Sequence, residues 1–249
     1  MTVQTLINAN DATMRRHYVT QTESENFTGS PIRSRPSDEN VVPAACLVMA
    51  HQSSHPHSEK IRLLRTELLL RHEENDAANI FAVLSPCPAE GRSQLAAELA
   101  IAFSQLGRPT LLVDADLRHP QQHILFNADN TLGLSQVLER EQAPHFQTVE
   151  GLPALLLLTA GPLPSNPLEL LSDRRFEIMV SEWQQDFQFV VMDTPPVGRY
   201  ADGLAVATII GRVLSLCRAK HTPYKDTLDM MRRLAATRSR ILGAVINHF

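Results

Sequence analysis

The sequence has few cysteines, no long apolar run and no excess of basic residues, and each absence excludes a class of protein. Only three cysteines occur in 249 residues. Cys46, Cys87 and Cys217 lie far apart, which is typical of reduced thiols and not of a disulfide framework. A formal net charge of -4 without a basic stripe argues against a nucleic-acid partner. The longest apolar run, 152–160, is too short for a bilayer, so we expect a cytoplasmic chain with no direct membrane insertion.

Composition predicts one folded domain preceded by a less ordered segment. Hydrophobic residues make up 43% of the chain and charged residues 20%, which is ordinary for a globular protein. Residues 1–45 are rich in Ser, Pro, Asn and charge and offer little to bury. We therefore predict a weakly ordered segment over 1–45 and a single domain over 46–249.

The stretch 79–118 carries the pattern around which this domain is built. An apolar strand pattern at 80–84 leads into a loop at 85–91, and apolar residues then recur at helical spacing over 93–106. A second apolar strand follows at 111–113. This strand–loop–helix–strand order is typical of a phosphate site on a parallel sheet. Because similar alternation continues to the C-terminus, we predict an α/β fold with a doubly wound, mostly parallel sheet and helices on both faces.

Three carboxylates follow apolar strand patterns downstream of this loop. Asp114 and Asp116 end the second strand, and Asp193 ends the run FVVMD. The carboxyl ends of parallel strands meet at one sheet edge, so these acids are expected near the Ser93 hydroxyl. Together they are suited to hold Mg²⁺ with phosphate oxygens, and one carboxylate is suited to accept a proton from an attacking hydroxyl. A strand-end cap or a surface ion pair is the alternative for any single Asp.

A helix is predicted directly before this core, with Ser58 as its N-cap. Glu59, Arg62 and Arg65 are spaced by three and share one edge of that helix. Two interpretations stay open from the spacing alone. The three residues form ion pairs within the helix, or they contact a neighbouring subunit.

From about residue 47 onward, the chain resembles the cytoplasmic domain of bacterial tyrosine autokinases, which regulate capsule and exopolysaccharide chain length. The segment PAEGRS resembles the phosphate loop of that family, LLVDADLR its second aspartate motif, and VVMDTPP its Walker B motif. AGPLPSNPLELL resembles a further family segment. The family belongs to the deviant P-loop NTPases, so the resemblance implies a P-loop NTPase-like kinase domain over 46–249.

The resemblance also implies cofactors, partners and site residues. It implies ATP or ADP with Mg²⁺, provided that the altered loop still binds them, a ring-shaped homo-oligomer, and a membrane chain-length determinant that keeps the chain at the inner membrane. The implied catalytic residues are Asp114, Asp116 and Asp193, and the implied magnesium ligands are Ser93, Asp114 and Asp193. The implied nucleotide contacts are Ala89, Glu90, Gly91, Arg92, Ser93, Gln94 and Asn247, and the implied ring contacts are Glu59, Arg62 and Arg65.

Three departures from the family pattern concern activity. Arg92 replaces the loop lysine, and its planar fork differs in shape from a compact ammonium. Ala89 replaces a loop glycine, which costs on the order of 1 kcal/mol if φ is positive there. The family's tyrosine-rich C-terminal tail is missing, and the only tyrosines are Tyr18, Tyr200 and Tyr224. We therefore expect a kinase-like regulator with weak or lost phosphotransfer; the alternatives are an active tyrosine autokinase and a nucleotide-free scaffold.

Overall fold

The computed structural model of the chain describes residues 3–6, 40–70, 79–140 and 142–248. In these ranges it contains one mixed sheet and the helices that cover it. The strands are β1 (Val3–Leu6), β2 (Asn40–Val41), β3 (Asn79–Leu84), β4 (Thr110–Asp114), β5 (Gln147–Val149), β6 (Leu152–Leu158), β7 (Phe189–Asp193), β8 (Arg212–Arg218) and β9 (Arg240–Asn247).

The helices alternate with the strands along most of the chain. No helix within the described ranges is both long and apolar enough to cross a membrane. The helices are α1 (Val48–His51), α2 (Pro56–Leu70), α3 (Arg92–Ser104), α4 (Gln122–Leu125), α5 (Leu134–Arg140), α6 (Pro167–Ser172), α7 (Arg174–Asp186), α8 (Asp202–Ile210) and α9 (Tyr224–Ala236).

The strands follow the spatial order β1-β9-β8-β3-β7-β4-β6-β5-β2. The pairs are parallel except for β1 with β9 and β5 with β6. The chain leaves β3 and returns at β4, with β7 inserted between them, so a crevice opens at the carboxyl ends of these strands. The predicted mostly parallel, doubly wound sheet is confirmed.

Side chains of the central strands alternate between two apolar cores, one on each face of the sheet. In β3, Ile80, Ala82 and Leu84 enter the core that α5–α9 cover. Phe81 and Val83 enter the core that α1–α3 cover. Because both faces are buried, the strands read as continuous apolar runs instead of alternating polar and apolar residues.

The predicted domain boundary after residue 45 stays a prediction, but two short strands before it belong to the sheet. Val3–Leu6 pairs with β9 at one edge of the sheet, and Asn40–Val41 pairs with β5 at the other. Residues 7–39, including Tyr18, lie outside the described ranges, as do most of the residues predicted to be weakly ordered.

Candidate nucleotide site

The loop between β3 and α3 turns back on itself through two left-handed residues. Ala89 has φ of 58° and Gly91, the N-cap of α3, has φ of 91°. Because Ala89 has a Cβ, this left-handed backbone conformation costs it about 1–2 kcal/mol. The sequence expectation of a strained loop position at Ala89 agrees with this geometry.

Buried polar groups hold the loop in this shape. Glu90 is fully buried; its Oε2 accepts the Cys87 N–H at 2.9 Å, and its Oε1 accepts the Thr222 hydroxyl. Asn247 Nδ2 donates to the Glu90 carbonyl at 2.9 Å. The side chains of Glu90 and Asn247 thus position the loop backbone, and in this structure Asn247 is buried against the loop.

Asp114 and Asp193 lie opposite each other on the paired strands β4 and β7. Backbone N–H groups surround Asp114: Oδ1 accepts from Asp116 at 3.1 Å, and Oδ2 accepts from Gln121 and Gln122 at 3.0 and 2.9 Å. Burial raises the pKa of Asp114 well above its ordinary value, and the charge of Asp193 raises it further. Asp114 therefore shapes the turn after β4, with its oxygens turned to the backbone.

Asp193 is fully buried and only partly hydrogen-bonded. Its Oδ2 accepts Gln122 Nε2 at 2.9 Å, whereas its Oδ1 accepts no hydrogen bond within the described part of the chain. Burial raises the pKa of Asp193 to about 6, although the Arg92 charge and the Ser93 hydroxyl act to lower it. A buried carboxylate oxygen without a hydrogen bond requires another partner, such as a cation or a water molecule.

Arg92 supplies that cation. Its side chain is 7% exposed and turns back under the loop, with Nη2 3.5 Å from Asp116 Oδ2 and Nε 3.7 Å from Asp193 Oδ1. Nη1 donates to Ser85 Oγ at 2.6 Å, and Nε donates to the Thr194 carbonyl. The residue at the lysine position is thus an internal partner of the acidic cluster.

Asp116 is occupied from both sides. Its Oδ1 accepts the backbone N–H groups of Arg118 and His119 at 3.3 and 3.0 Å, while Oδ2 faces Arg92. Asp116 nevertheless reaches the surface of an adjacent pocket of about 410 Å³, which residues 88–94, His119 and Gln121 also line. The structure therefore brings the predicted loop residues and Asp116 to one pocket.

The predicted magnesium ligands fit a metal ion poorly. Asp114 is turned to the backbone, and a guanidinium lies beside the open oxygen of Asp193. Among the residues that the structure describes, no three His, Cys, Asp or Glu side chains are arranged to hold a metal. Mg²⁺ requires compact octahedral oxygen coordination, and the space where it would meet Asp193 holds Arg92.

Several residues around this site were not anticipated from the sequence. Gln122 donates to both Asp193 and the Ser93 carbonyl, and it lies in a four-residue helix that leaves no periodic signal. Gly198 N donates to Pro86 O at 2.9 Å, so the segment after β7 braces the loop. A Cβ at Gly198 would lie 2.5 Å from that oxygen. The sequence contains no local pattern for either contact.

A second unanticipated cluster lies at the edge of the pocket. The Arg118 guanidinium sits 4.4 Å above the Tyr200 ring and donates through Nε to Asp202 at 3.0 Å. The Tyr200 hydroxyl lies 3.4 Å from Nε2 of His119, which lines the pocket. Arg118 belongs to the motif LLVDADLR, which was the available signal for this cluster.

The predicted ring-contact residues make contacts within the chain. Arg62 pairs with Glu59 at 2.5 Å and donates to the Ser53 carbonyl at 2.6 Å. Arg65 donates to the Ala102 carbonyl at 2.7 Å. The intrahelical interpretation therefore holds for Glu59 and Arg62, and a subunit contact stays a prediction.

The predicted N-cap of α2 is wrong. The helix begins at Pro56, before Ser58, because Pro is well suited to the first helical turn. The Ser58 hydroxyl instead donates to the Gln52 carbonyl at 2.7 Å, and His55 Nδ1 accepts the His57 N–H at 3.1 Å.

Gln94, one of the predicted nucleotide contacts, lies at the border of the pocket. Its Nε2 donates to the Cys46 carbonyl at 3.2 Å.

Comparison with known proteins identifies the family. No protein-family model matches the chain. The tyrosine-protein kinase YwqD of Bacillus subtilis is 35% identical over 196 residues, which cover 77% of this chain and 81% of YwqD. The chain belongs to the bacterial tyrosine-protein kinases. The tyrosine-protein kinase etk of Escherichia coli K12 is 31% identical over 195 residues, which cover 76% of this chain and only 26% of etk.

Solved structures of this kinase family share the fold. The kinase domain of Escherichia coli ETK matches with a TM-score of 0.77 and 28% identity, covering 81% of this chain and 79% of that one. The chimerical protein CapA2B2 matches with a TM-score of 0.76 and 30% identity over 84% and 92%. The septum site-determining protein MinD of Pyrococcus horikoshii, solved with Mg-ADP, shares the fold at 18% identity and a TM-score of 0.58. The predicted family and P-loop NTPase fold are confirmed.

Proposed function

We propose that this tyrosine-kinase family member is a cytoplasmic, nucleotide-binding regulator of exopolysaccharide or capsule assembly in which phosphotransfer is weak or lost. One observation carries the loss of catalysis. The Arg92 guanidinium lies against Asp116 and Asp193, and the side chain is only 7% exposed although Arg92 belongs to the lining of the pocket. A cation that stabilises transferring phosphoryl oxygens has to turn toward them, and four polar contacts hold the Arg92 guanidinium against the acidic cluster.

Nucleotide binding is supported by the part of the site that remains open. The pocket of about 410 Å³ lies at the N-terminus of α3, where backbone N–H groups and the helix dipole attract anions. Gly91 supplies the left-handed turn that begins this helix. We therefore propose ATP or ADP as the ligand, with the phosphates on residues 88–94.

Calorimetric titration with ADP and ATP, together with phosphotyrosine mass spectrometry after incubation with ATP, tests both halves of the proposal. We expect heat of binding for both nucleotides and far less phosphotyrosine than YwqD forms under the same conditions. Arg92→Lys is expected to raise phosphotransfer. A lysine ammonium makes fewer contacts with the acidic cluster than the guanidinium does, and it is therefore free to reach phosphate oxygens in the pocket. Arg174→Lys, on the exposed surface of α7, is the matched control. Absence of heat with either nucleotide would remove nucleotide binding from the proposal.

An active tyrosine kinase is the second candidate, and the position of Tyr200 favours it. Tyr200 lies beside His119 at the pocket edge, whereas Tyr224 is 79% exposed at the start of α9. Phosphate on Tyr200 at a rate comparable to YwqD, and its loss in Asp116→Asn, would establish this candidate. A nucleotide-free scaffold instead predicts that Arg92→Ala leaves polymer production unchanged in a complementation assay.

Assembly is proposed to involve a membrane chain-length determinant and a second copy of this chain through α2. Glu59, Arg62 and Arg65 lie along one edge of α2 and would exchange their present internal partners for carboxylates or carbonyls of a neighbour. Analytical ultracentrifugation tests this contact. We expect a concentration-dependent oligomer that Arg62→Ala weakens, and a monomer at all concentrations would remove the proposal.

A further inference from the structure

The acidic cluster of this site already contains a cation that is part of the chain. Arg92 reaches Asp116 and Asp193 at 3.5 and 3.7 Å, and the side chains of all three are 7% exposed or less. Ser85 and the Thr194 carbonyl hold the other guanidinium nitrogens in place. The guanidinium thus has both a fixed position and a complete set of partners.

The remaining carboxylate oxygens leave little room for a second cation. Asp114 accepts three backbone N–H groups, and Asp193 Oδ2 accepts Gln122. Asp193 Oδ1 is the oxygen without a hydrogen bond, and it faces Arg92. A divalent ion at that oxygen would lie within a few ångströms of a guanidinium and would be repelled by it.

Removing Arg92 from the cluster would itself be unfavourable. A rotation into the pocket would leave Asp116 and Asp193 buried without their cation, which is costly for buried carboxylates. The pocket also contains a second positive residue, the exposed Arg199, which is part of its lining. Nucleotide phosphates can therefore meet Arg199 and the loop N–H groups while Arg92 stays in place.

We propose that the Arg92 guanidinium takes the electrostatic place of the divalent cation, so that this chain binds nucleoside diphosphate without Mg²⁺. This inference rests on the proposed nucleotide binding. Arg92 balances the negative charge of the acidic cluster and thereby excludes a divalent metal ion. This role differs from direct contact with a transferring phosphate.

The first measurement is the affinity of the unmodified chain for ADP in excess Mg²⁺ and in EDTA. The proposal predicts dissociation constants that agree within about threefold, because no metal bridge contributes to binding. A dissociation constant at least about tenfold weaker in EDTA would overturn it. If ADP binds in neither condition, the proposed nucleotide function fails, and the next measurement decides the inference alone.

The second measurement uses Mn²⁺ and the ligand-free chain, followed by electron paramagnetic resonance. The unmodified chain and the control Arg174→Ala are expected to leave Mn²⁺ free in solution. Arg92→Ala is expected to bind Mn²⁺ at least about tenfold more tightly, because the vacated carboxylates then attract the metal. Equal Mn²⁺ binding by the unmodified chain and Arg92→Ala would overturn the proposal. If Arg92→Ala does not fold, Mn²⁺ binding by the unmodified chain that Asp193→Asn abolishes would overturn it equally.

Discussion

Replacement of Arg92 by methionine is expected to destabilise the fold far more than loss of a surface charge. The guanidinium lies 3.5 Å from an Asp116 oxygen and 3.7 Å from an Asp193 oxygen. At an effective dielectric constant of about 20, each such ion pair has a gross attraction of about 4–5 kcal/mol. Methionine preserves most of the apolar volume, but both carboxylates lose their cation. Since buried pairs broken on one side typically cost about 3–5 kcal/mol, we expect a loss of that size at neutral pH.

The loss in Arg92→Met should also depend on pH. Burial raises the pKa of Asp193 to about 6, and Arg92 acts against this rise, so its removal raises the pKa further. A carboxyl group whose pKa is higher in the folded state than in the unfolded state destabilises the fold when it is ionised. That penalty is complete above the folded-state pKa and disappears as the pH falls toward the unfolded value. The difference between Arg92→Met and the unmodified chain should therefore be larger at pH 7.5 than at pH 5.

Urea unfolding at the two pH values measures this difference. With an m-value of about 2–3 kcal/mol/M, the midpoint of Arg92→Met should fall by about 1–2 M at pH 7.5. Arg199→Met removes the same charge from the exposed side of the pocket and should change stability by less than about 0.5 kcal/mol. If both variants lose equally little, or if the loss grows at pH 5, Arg92 is not the buried cation of this cluster.

Three further predictions concern other parts of the chain. Ala89→Gly should raise the free energy of unfolding by about 0.5–1 kcal/mol in urea, because the relief of backbone strain at a positive φ exceeds the entropy that glycine adds to the unfolded chain. Arg238→Gly, also at φ of 58°, is the control. A loss of stability in Ala89→Gly alone would contradict the proposed strain. Burial raises the pKa of the Cys87 thiol to about 11, so iodoacetamide at pH 8 should label exposed Cys46 well before Cys87 by mass spectrometry, and equal rates would contradict this. Glu98→Ala should lower the free energy of unfolding in urea by about 2–4 kcal/mol, because the Glu98 carboxylate accepts the first two N–H groups of α1. Glu98→Gln should lose less stability, and equal losses in the two variants would count against that role.

The central sheet could be predicted because its strands are buried on both faces. The runs at 80–84, 111–113 and 189–193 are continuous apolar segments that end at the loop or at an acid, and they became β3, β4 and β7. The short strand β5 carried no such signal, since Gln147–Val149 is three residues long and pairs through the backbone. In the sheet β5 lies between β6 and β2, and local patterns do not encode its pairing with β2, which is distant in sequence.

The candidate site could be predicted as a set of residues but not as a set of orientations. Strand ends and the loop pattern placed Asp114, Asp116 and Asp193 beside residues 88–94, and the structure brings them together. The direction of the Arg92 side chain was not predictable, because it depends on Ser85, on the Thr194 carbonyl and on the depth of Asp193. The hydrogen bonds from backbone N–H groups to Asp114 were not predictable for the same reason, since the donors lie in a turn whose sequence has no periodicity.

A crystal structure of the chain with ADP and excess Mg²⁺ tests the central claim most directly. The claim is that the loop binds a nucleotide while Arg92 remains the cation of the acidic cluster. It predicts a diphosphate over residues 88–94, with Arg92 still between Asp116 and Asp193 and no metal at Asp193 Oδ1. A magnesium ion bound to Asp193, with the Arg92 side chain turned out into the pocket, would contradict it.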